Sequence, residues 1–257
     1  MIKEEIKFEK SSCFEGMTSI RAVIKAIDQG DSDRKIEIIM FDGNRLNKIA
    51  KEVGYFRAVS EKYGFELVKS TEEEIGKYTI GNSHGGIIAL CTTRSFPILT
   101  ESVIKPQGFY VMLQGIEDPY NFGYAIRSLY ACGCDGIILG ERNWMSAAGV
   151  VCRSSAGASE LLPMFTLSDI GAVELFKSRG YKVVCADLRT ENTLGQTTLP
   201  SSLLLVIGGE KRGISADILS IADMLIKIPY AREFSASLSA ASASTMFAFE
   251  IMRQRSL

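Results

Sequence analysis

Histidine is scarce in this chain of 257 residues, its cysteines are not paired in sequence, and its basic and acidic residues nearly balance. His84 is the only histidine, and no Cys-x-x-Cys pair occurs among the six cysteines. Zinc sites usually combine such pairs with histidine, so we expect no metal site. The net charge is −1 and the pI about 6.0. Proteins dedicated to nucleic-acid binding are more often basic, although a neutral protein can carry a local basic face.

Long apolar runs are also absent. No stretch reaches the roughly 18 apolar residues that a membrane span requires. The first residues, Met1–Lys7, are charged throughout and lack the apolar stretch of a signal peptide. The hydrophobic fraction of 46% and the charged fraction of 23% are ordinary for a globular protein. We therefore expect a reduced, soluble, cytoplasmic protein with no membrane partner.

The chain divides into two α/β segments. Helical and strand patterns alternate along the first segment, as in a small α/β domain. The alternation breaks near Pro97 and Pro106, in a stretch of mixed polarity. We predict an accessory domain over 1–95, a linker over 96–107 and a second domain over 108–257.

The second domain alternates apolar strands with helices. Strands are predicted at 109–113, 136–139, 182–185, 203–207 and 225–228, and helices at 123–132, 170–178 and 239–254. Such alternation implies a mainly parallel sheet covered on both faces, whose ligands bind at the carboxyl ends of the strands.

A first polar motif follows the first of these strands. Pro119 stiffens the turn, and Asn121 with Gly123 lies at or just before the predicted helix start. Arg127 falls about one helical turn later and is expected to reach back to the same crevice. An amide, open helix N–H groups and a guanidinium suit a phosphate or a ribose. The alternative is a capped turn with a surface arginine.

A second motif continues the strand that ends at Ile207. Gly208, Gly209 and Glu210 follow it directly. Glycines here allow close backbone approach to a flat ligand such as adenosine, where a β-carbon would block it. Neither the dinucleotide fingerprint nor the Walker lysine pattern is present. Glu210 with its basic neighbours also fits a solvated charge cluster.

A third motif is built of small residues. Ser235–Ser244 is almost entirely serine and alanine, and the sequence then turns apolar. Serines at its start, including Ser237 and Ser239, can cap a helix and offer hydroxyls to the crevice. Small residues also suit a close-packed helix or a dimer interface.

Together, these motifs resemble those of the SpoU (TrmH-like) RNA 2′-O-ribose methyltransferases of the SPOUT superfamily. The matching residues are Asn121, Gly123 and Arg127, then Ile207, Gly208, Glu210 and Gly213, then Ile228, Pro229, Ser237, Leu238 and Glu250. Two positions depart from the pattern: Tyr230 replaces a methionine and Ser239 an asparagine.

The resemblance implies a trefoil-knotted α/β methyltransferase domain that works as a homodimer, with each active site near the dimer interface. It implies S-adenosylmethionine as cofactor, held by Gly208, Gly209, Ile228, Leu238 and Ser239. The catalytic residues it implies are Asn121, Arg127, Glu210 and Ser237.

The N-terminal segment resembles the family's accessory domain. His84 and the two glycines after it look like the family's His-Gln-Gly segment. The resemblance implies an α/β domain related to kink-turn-binding ribosomal proteins. Its partner would be structured RNA, with ribosomal RNA favoured over transfer RNA.

Serine at position 239 keeps a second hypothesis open. Serine is shorter than asparagine and lacks the amide's simultaneous donor and acceptor. The chain could accordingly be a knotted RNA-binding protein with weak or lost catalysis. A third alternative, suggested by the neutral charge, is a nucleotide-binding α/β domain with no RNA partner.

Overall fold

The protein alternates strands and helices, as the sequence predicts. The computed structural model describes residues 12–81, 84–140, 147–209 and 211–255. The helices are α1 (Gly16–Gln29), α2 (Leu46–Tyr63), α3 (Glu72–Gly76), α4 (Pro119–Ala131), α5 (Ala148–Ser154), α6 (Ala158–Leu161), α7 (Asp169–Ser178), α8 (Ala216–Ile221) and α9 (Ala240–Arg255). The strands are β1 (Cys13–Glu15), β2 (Ile36–Asp42), β3 (Glu66–Ser70), β4 (Ile87–Cys91), β5 (Phe109–Gln114), β6 (Gly136–Leu139), β7 (Met164–Thr166), β8 (Lys182–Ala186), β9 (Leu203–Gly208) and β10 (Met224–Ile226). None of these helices is long and apolar enough to cross a membrane.

The chain forms two compact units. The N-terminal unit comprises the described residues of Met1–Ser95 and Asn143–Leu161. The C-terminal unit comprises those of Phe96–Arg142 and Leu162–Leu257. The division at Ser95 lies at the start of the predicted linker, and α5 and α6 pack with the N-terminal unit although they fall inside the predicted second domain. The roles assigned to the domains stay predictions.

The N-terminal unit is a four-stranded sheet with helices packed against it. The strand order is β1-β4-β2-β3, in which only β2 and β3 pair in parallel. One face of α1 is buried through Ile20, Val23 and Ile24, and the helix ends at Gly30 in the left-handed conformation. Cys152 of α5 belongs to the same core cluster as Ile20.

A buried ion pair joins α6 to the segment that precedes β2. Arg34 donates from Nε and Nη2 to the two carboxylate oxygens of Glu160 at 3.1 and 3.3 Å. The side chains are only 3% and 4% exposed. Arg34 also donates to the carbonyl oxygen of Thr92 at 2.6 Å. Because breaking a buried pair leaves an uncompensated charge, these bonds fix α6 to the N-terminal unit.

The C-terminal unit contains a six-stranded sheet in the order β10-β8-β9-β5-β6-β7, with every neighbouring pair parallel. The predicted parallel sheet is confirmed. Leu204 and Val206 of the central strand β9 pack in one core cluster with Phe176 of α7 and Ile218 of α8. Helix α9 packs against α4 and β9. The knot and the ribosomal-protein relationship stay predictions.

Candidate active site

A cleft of about 300 Å³ opens at the carboxyl ends of β8, β9 and β10. Its volume lies at the lower end of the range for small-molecule sites. Apolar side chains and backbone form most of its wall, as in sites for flat ligands. It is lined by Ala186, Asp187, Leu188, Arg189, Ile207, Gly208, Gly209, Gly213, Ile214, Ile226, Lys227, Ile228, Tyr230, Ser237, Leu238, Ala240, Ala243 and Phe247.

The glycine loop after β9 is packed backbone against backbone. A β-carbon at Gly208 would overlap the backbone of Gly213, and one at Gly209 would overlap the carbonyl of Gly115. Gly213 has φ +62° and donates its N–H to the carbonyl oxygen of Gly209 at 3.0 Å. The sequence interpretation, that a β-carbon would meet the ligand, needs correction because it would first meet the protein's own backbone.

Gln114, at the end of β5, holds the glycine loop after β9. Its carbonyl oxygen accepts the N–H of Gly209 at the start of the loop, and its side chain bonds to Ser215 at the end. Its Nε2 donates to Asp169 Oδ2 at 2.7 Å and to Ser215 Oγ at 3.1 Å. Its Oε1 accepts the N–H of Ser215 at 2.8 Å. Because Ser215 is the N-cap residue of α8, the loop is held where it enters that helix. Motif matching gave no role to Gln114.

An acidic residue that the sequence analysis missed lies in the cleft wall. Asp187 follows β8, and its side chain is 11% exposed. Its oxygens accept from Nε and Nη2 of Arg189 at 2.9 and 2.8 Å. These hydrogen bonds lower the pKa of Asp187, so the carboxylate is ionised at neutral pH. A polar residue directly after a buried strand was the available sequence signal.

The third motif contributes Ile228, Ser237 and Leu238 to the wall of the cleft. The Leu238 N–H donates to the Tyr230 hydroxyl at 3.2 Å. Ser239 is not among the lining residues. Its Oγ accepts the N–H of Ser242 at 3.2 Å, the N-cap contact expected at the start of α9. Its assignment to the cofactor stays a prediction.

The first motif lies inside α4, earlier in the helix than predicted. The N-cap residue is Asp118, whose side chain accepts the N–H of Tyr120 at 3.0 Å, and Pro119 opens the helix. Asn121 and Gly123 are consequently helical. Arg127 is exposed and is not among the residues lining the cleft. Arg127 therefore does not contribute to the wall of this cleft, and its catalytic role stays a prediction.

Two further sequence predictions concern Glu210 and metals. Glu210 lies outside the described residues. Within the described ranges, no group of three or more histidine, cysteine or acidic side chains is arranged to hold a metal ion. The structure thus brings Gly208, Gly209, Ile228, Ser237 and Leu238 to one cleft and leaves Arg127 outside it.

The family model described as "SpoU rRNA Methylase family" matches residues 108–249, more than half of the chain. The chain belongs to the SpoU rRNA methylase family. The matched range contains the first two motifs, all of the third except Glu250, and every lining residue of the cleft.

Curated relatives of this SpoU chain extend over both units. A putative TrmH family tRNA/rRNA methyltransferase of Bacillus subtilis is 26% identical over 230 residues, which cover 87% of this chain and 90% of the relative. The 23S rRNA (guanosine-2′-O-)-methyltransferase RlmB of Yersinia pestis is 26% identical over 244 residues, which cover 91% of this chain and 95% of the relative.

Solved structures share the fold. An RNA 2′-O ribose methyltransferase superposes with a TM-score of 0.79 at 20% identity, covering 95% of this chain and 89% of that one. The SpoU methyltransferase AviRb of Streptomyces viridochromogenes, crystallised with AdoMet, superposes with a TM-score of 0.75 at 23% identity. This superposition also covers 95% of this chain and 89% of that one. These neighbours confirm the predicted SPOUT-type α/β fold.

Proposed function

We propose that the protein transfers a methyl group from S-adenosylmethionine to a ribose 2′-hydroxyl of structured RNA. The observation that carries the proposal is the cleft itself, which the second and third family motifs build at the ends of parallel strands. RlmB, which matches over 91% of this chain, is by name a ribose 2′-O-methyltransferase of 23S rRNA. Ribosomal RNA is therefore the favoured substrate.

The residues of the cleft fit S-adenosylmethionine. Ile226 and Phe247 offer apolar surface to an adenine ring, and the backbone at Ile228 and Leu238 offers polar groups at its edge. Asp187 offers a carboxylate for ribose hydroxyls or for the ammonium group. When bound, the cofactor supplies an electrophilic methyl group.

The acceptor hydroxyl is a weak acid, so the protein must orient it and stabilise the charge that develops on its oxygen. We assign this role to Arg127, because a guanidinium stays protonated and can hold both a phosphate and an alkoxide. Asn121, Glu210 and Ser237 would orient Arg127 and the ribose.

A homodimer reconciles this role with the exposed position of Arg127. Small residues of α9, including Ala240 and Ala248, are buried, whereas Tyr124, Met246 and Phe249 are 49%, 42% and 56% exposed. Exposed apolar side chains of this size often mark a protein interface. We infer that two copies pair through these faces of α4 and α9, so that Arg127 of one copy serves the cleft of the other.

The N-terminal unit would bind structured RNA, and the cleft would carry out the transfer. Titration calorimetry with S-adenosylmethionine and S-adenosylhomocysteine tests this division. Saturable binding of S-adenosylmethionine and S-adenosylhomocysteine supports the proposed methyltransferase activity. RNA binding without cofactor binding supports the alternative motivated by Ser239, an RNA-binding protein that has lost catalysis. If the protein binds neither the cofactor nor, in a parallel titration, structured RNA, both hypotheses are contradicted.

A further inference from the structure

The loop between Pro229 and the start of α9 has very little support of its own. All seven residues of 231–237 are exposed. None of them hydrogen-bonds to another residue in the described part of the chain. The loop nevertheless delivers Ser237 and Leu238 to the wall of the cleft. Something outside 231–237 must therefore hold its shape.

Tyr230 supplies that support from the beginning of the loop. Its hydroxyl accepts the backbone N–H of Leu238 at 3.2 Å and so closes the loop eight residues later. Its ring meets that of Phe234 edge to face, with centroids 5.9 Å apart and planes at 63°. Aromatic pairs of this geometry are favourable beyond the area they bury. One side chain thus contacts both the tip and the end of the loop.

Leu238 is also fixed from its other side. The hydroxyl of Ser239 accepts the N–H of Ser242 and anchors the first turn of α9. Leu238 therefore lies between a helix cap and the Tyr230 hydroxyl, and its own N–H is committed to Tyr230. A methionine at position 230 could not replace this bond, because a thioether sulfur is only a weak acceptor.

We propose that Tyr230 is a positioning residue whose hydroxyl holds the 231–237 loop so that Ser237 and Leu238 border the cleft. The proposal rests on the proposed function in identifying the occupant of the cleft as S-adenosylmethionine. The state of the loop itself can be measured without the cofactor.

Two substitutions test the hydroxyl. Tyr230→Phe keeps the ring and removes only the acceptor, whereas Tyr230→Met introduces the residue usual in the family motif. The matched control is Tyr55→Phe, which removes a hydroxyl from a 39% exposed tyrosine on α2 of the N-terminal unit. The first readout is the rate of trypsin cleavage after the exposed Arg232, followed by mass spectrometry. The second is affinity for S-adenosylmethionine by calorimetry.

We expect both Tyr230 variants to be cut after Arg232 at least three times faster than the parent, with an unchanged thermal midpoint. Loss of one hydrogen bond should weaken cofactor binding roughly three- to tenfold. The Tyr55→Phe protein should match the parent in both assays. Parental cleavage rates in Tyr230→Phe would overturn the proposal. If the Tyr230 variants are cleaved faster but neither the parent nor any variant binds the cofactor, Tyr230 still supports the loop and the proposed function is wrong.

Discussion

The backbone N–H of Gly209 donates to the carbonyl oxygen of Gln114 at 2.6 Å. This bond ties the loop after β9 to the end of the neighbouring strand β5. The close approach leaves no room for a β-carbon at Gly209, which would overlap the carbonyl of Gly115. The glycines of the second motif are therefore needed for the loop to fold, before any ligand arrives.

Gly209→Ala should accordingly destabilise the protein as well as abolish cofactor binding. Overpacking of this kind costs about 1–3 kcal/mol, measurable by urea denaturation. Gly54→Ala is the control, since Gly54 lies in α2 with open space around its Cα, and alanine there should be neutral or stabilising. A Gly209→Ala protein with parental stability would show that the loop does not require glycine.

Asp187→Asn should weaken binding of S-adenosylmethionine by about tenfold or more, because hydrogen bonds to a charged group are stronger than neutral ones. Calorimetry at neutral pH measures the change. Asp28→Asn removes a carboxylate that pairs with Lys62 in the N-terminal unit, and its affinity should equal that of the parent. Equal affinity in the Asp187 variant would remove this residue from the cofactor site.

Arg127→Ala should lower the methyl-transfer rate by about a hundredfold or more while cofactor affinity stays within a few fold. Lysine should rescue poorly, because a point charge does not reproduce the planar fork. Arg179→Ala, which removes another exposed arginine of the same unit, should keep the parental rate. Parental transfer by Arg127→Ala would show that the arginine of the first motif is not catalytic.

Phe249→Glu should convert the proposed dimer into monomers, because it introduces a charge into an apolar contact face. Light scattering at micromolar concentration should give about twice the 28.2 kDa chain mass for the parent. Ile98→Glu, at a position that is 68% exposed, should leave the mass unchanged. A monomeric parent protein would contradict the dimer and the role of Arg127 in the partner's cleft.

Glu250 should give the protein an acid-sensitive component of stability. Hydrogen bonds from Arg253 and Gln254 lower the pKa of Glu250 from 4.5 to about 2. A lowered folded-state pKa stabilises the protein above pH 4.5, and this contribution disappears as the pH falls toward 2. The gap in unfolding free energy between the parent and Glu250→Gln should therefore shrink between pH 6 and pH 3. A constant gap would show that the carboxylate is not preferentially stabilised in the folded state.

The regular elements could be predicted from the sequence because their signals are local. The helix predicted over 170–178 is α7, which begins one residue earlier at Asp169, and the buried apolar run from Phe109 is β5. Short elements such as β1 and β7 were missed, since three residues carry too little periodicity to distinguish a strand from a loop.

The site was predicted less completely because its parts meet only through tertiary contacts. The glycines and Leu238 were found through their motifs. Asp187 and Gln114 belong to no motif. Gln114 bonds to Asp169 and Ser215, which are distant in sequence, and Asp187 meets the other cleft residues only because β8 pairs with β9 and β10. The start of α4 was predicted at 123 and lies at Pro119, since Asp118 and Asn121 are both good capping residues and only the backbone distinguishes them.

The most direct test of the account is the nucleoside product formed from S-adenosylmethionine carrying a labelled methyl group. Structured ribosomal RNA from a strain lacking the protein is incubated with the protein and cofactor, digested to nucleosides and analysed by mass spectrometry. Ribose 2′-O-methylation blocks alkaline cleavage at that nucleotide, so alkali-resistant dinucleotides provide a second readout. The account predicts label in a 2′-O-methylated nucleoside, absent when the RNA comes from the parent strain. Label on a base, or no transfer despite cofactor binding, would contradict it.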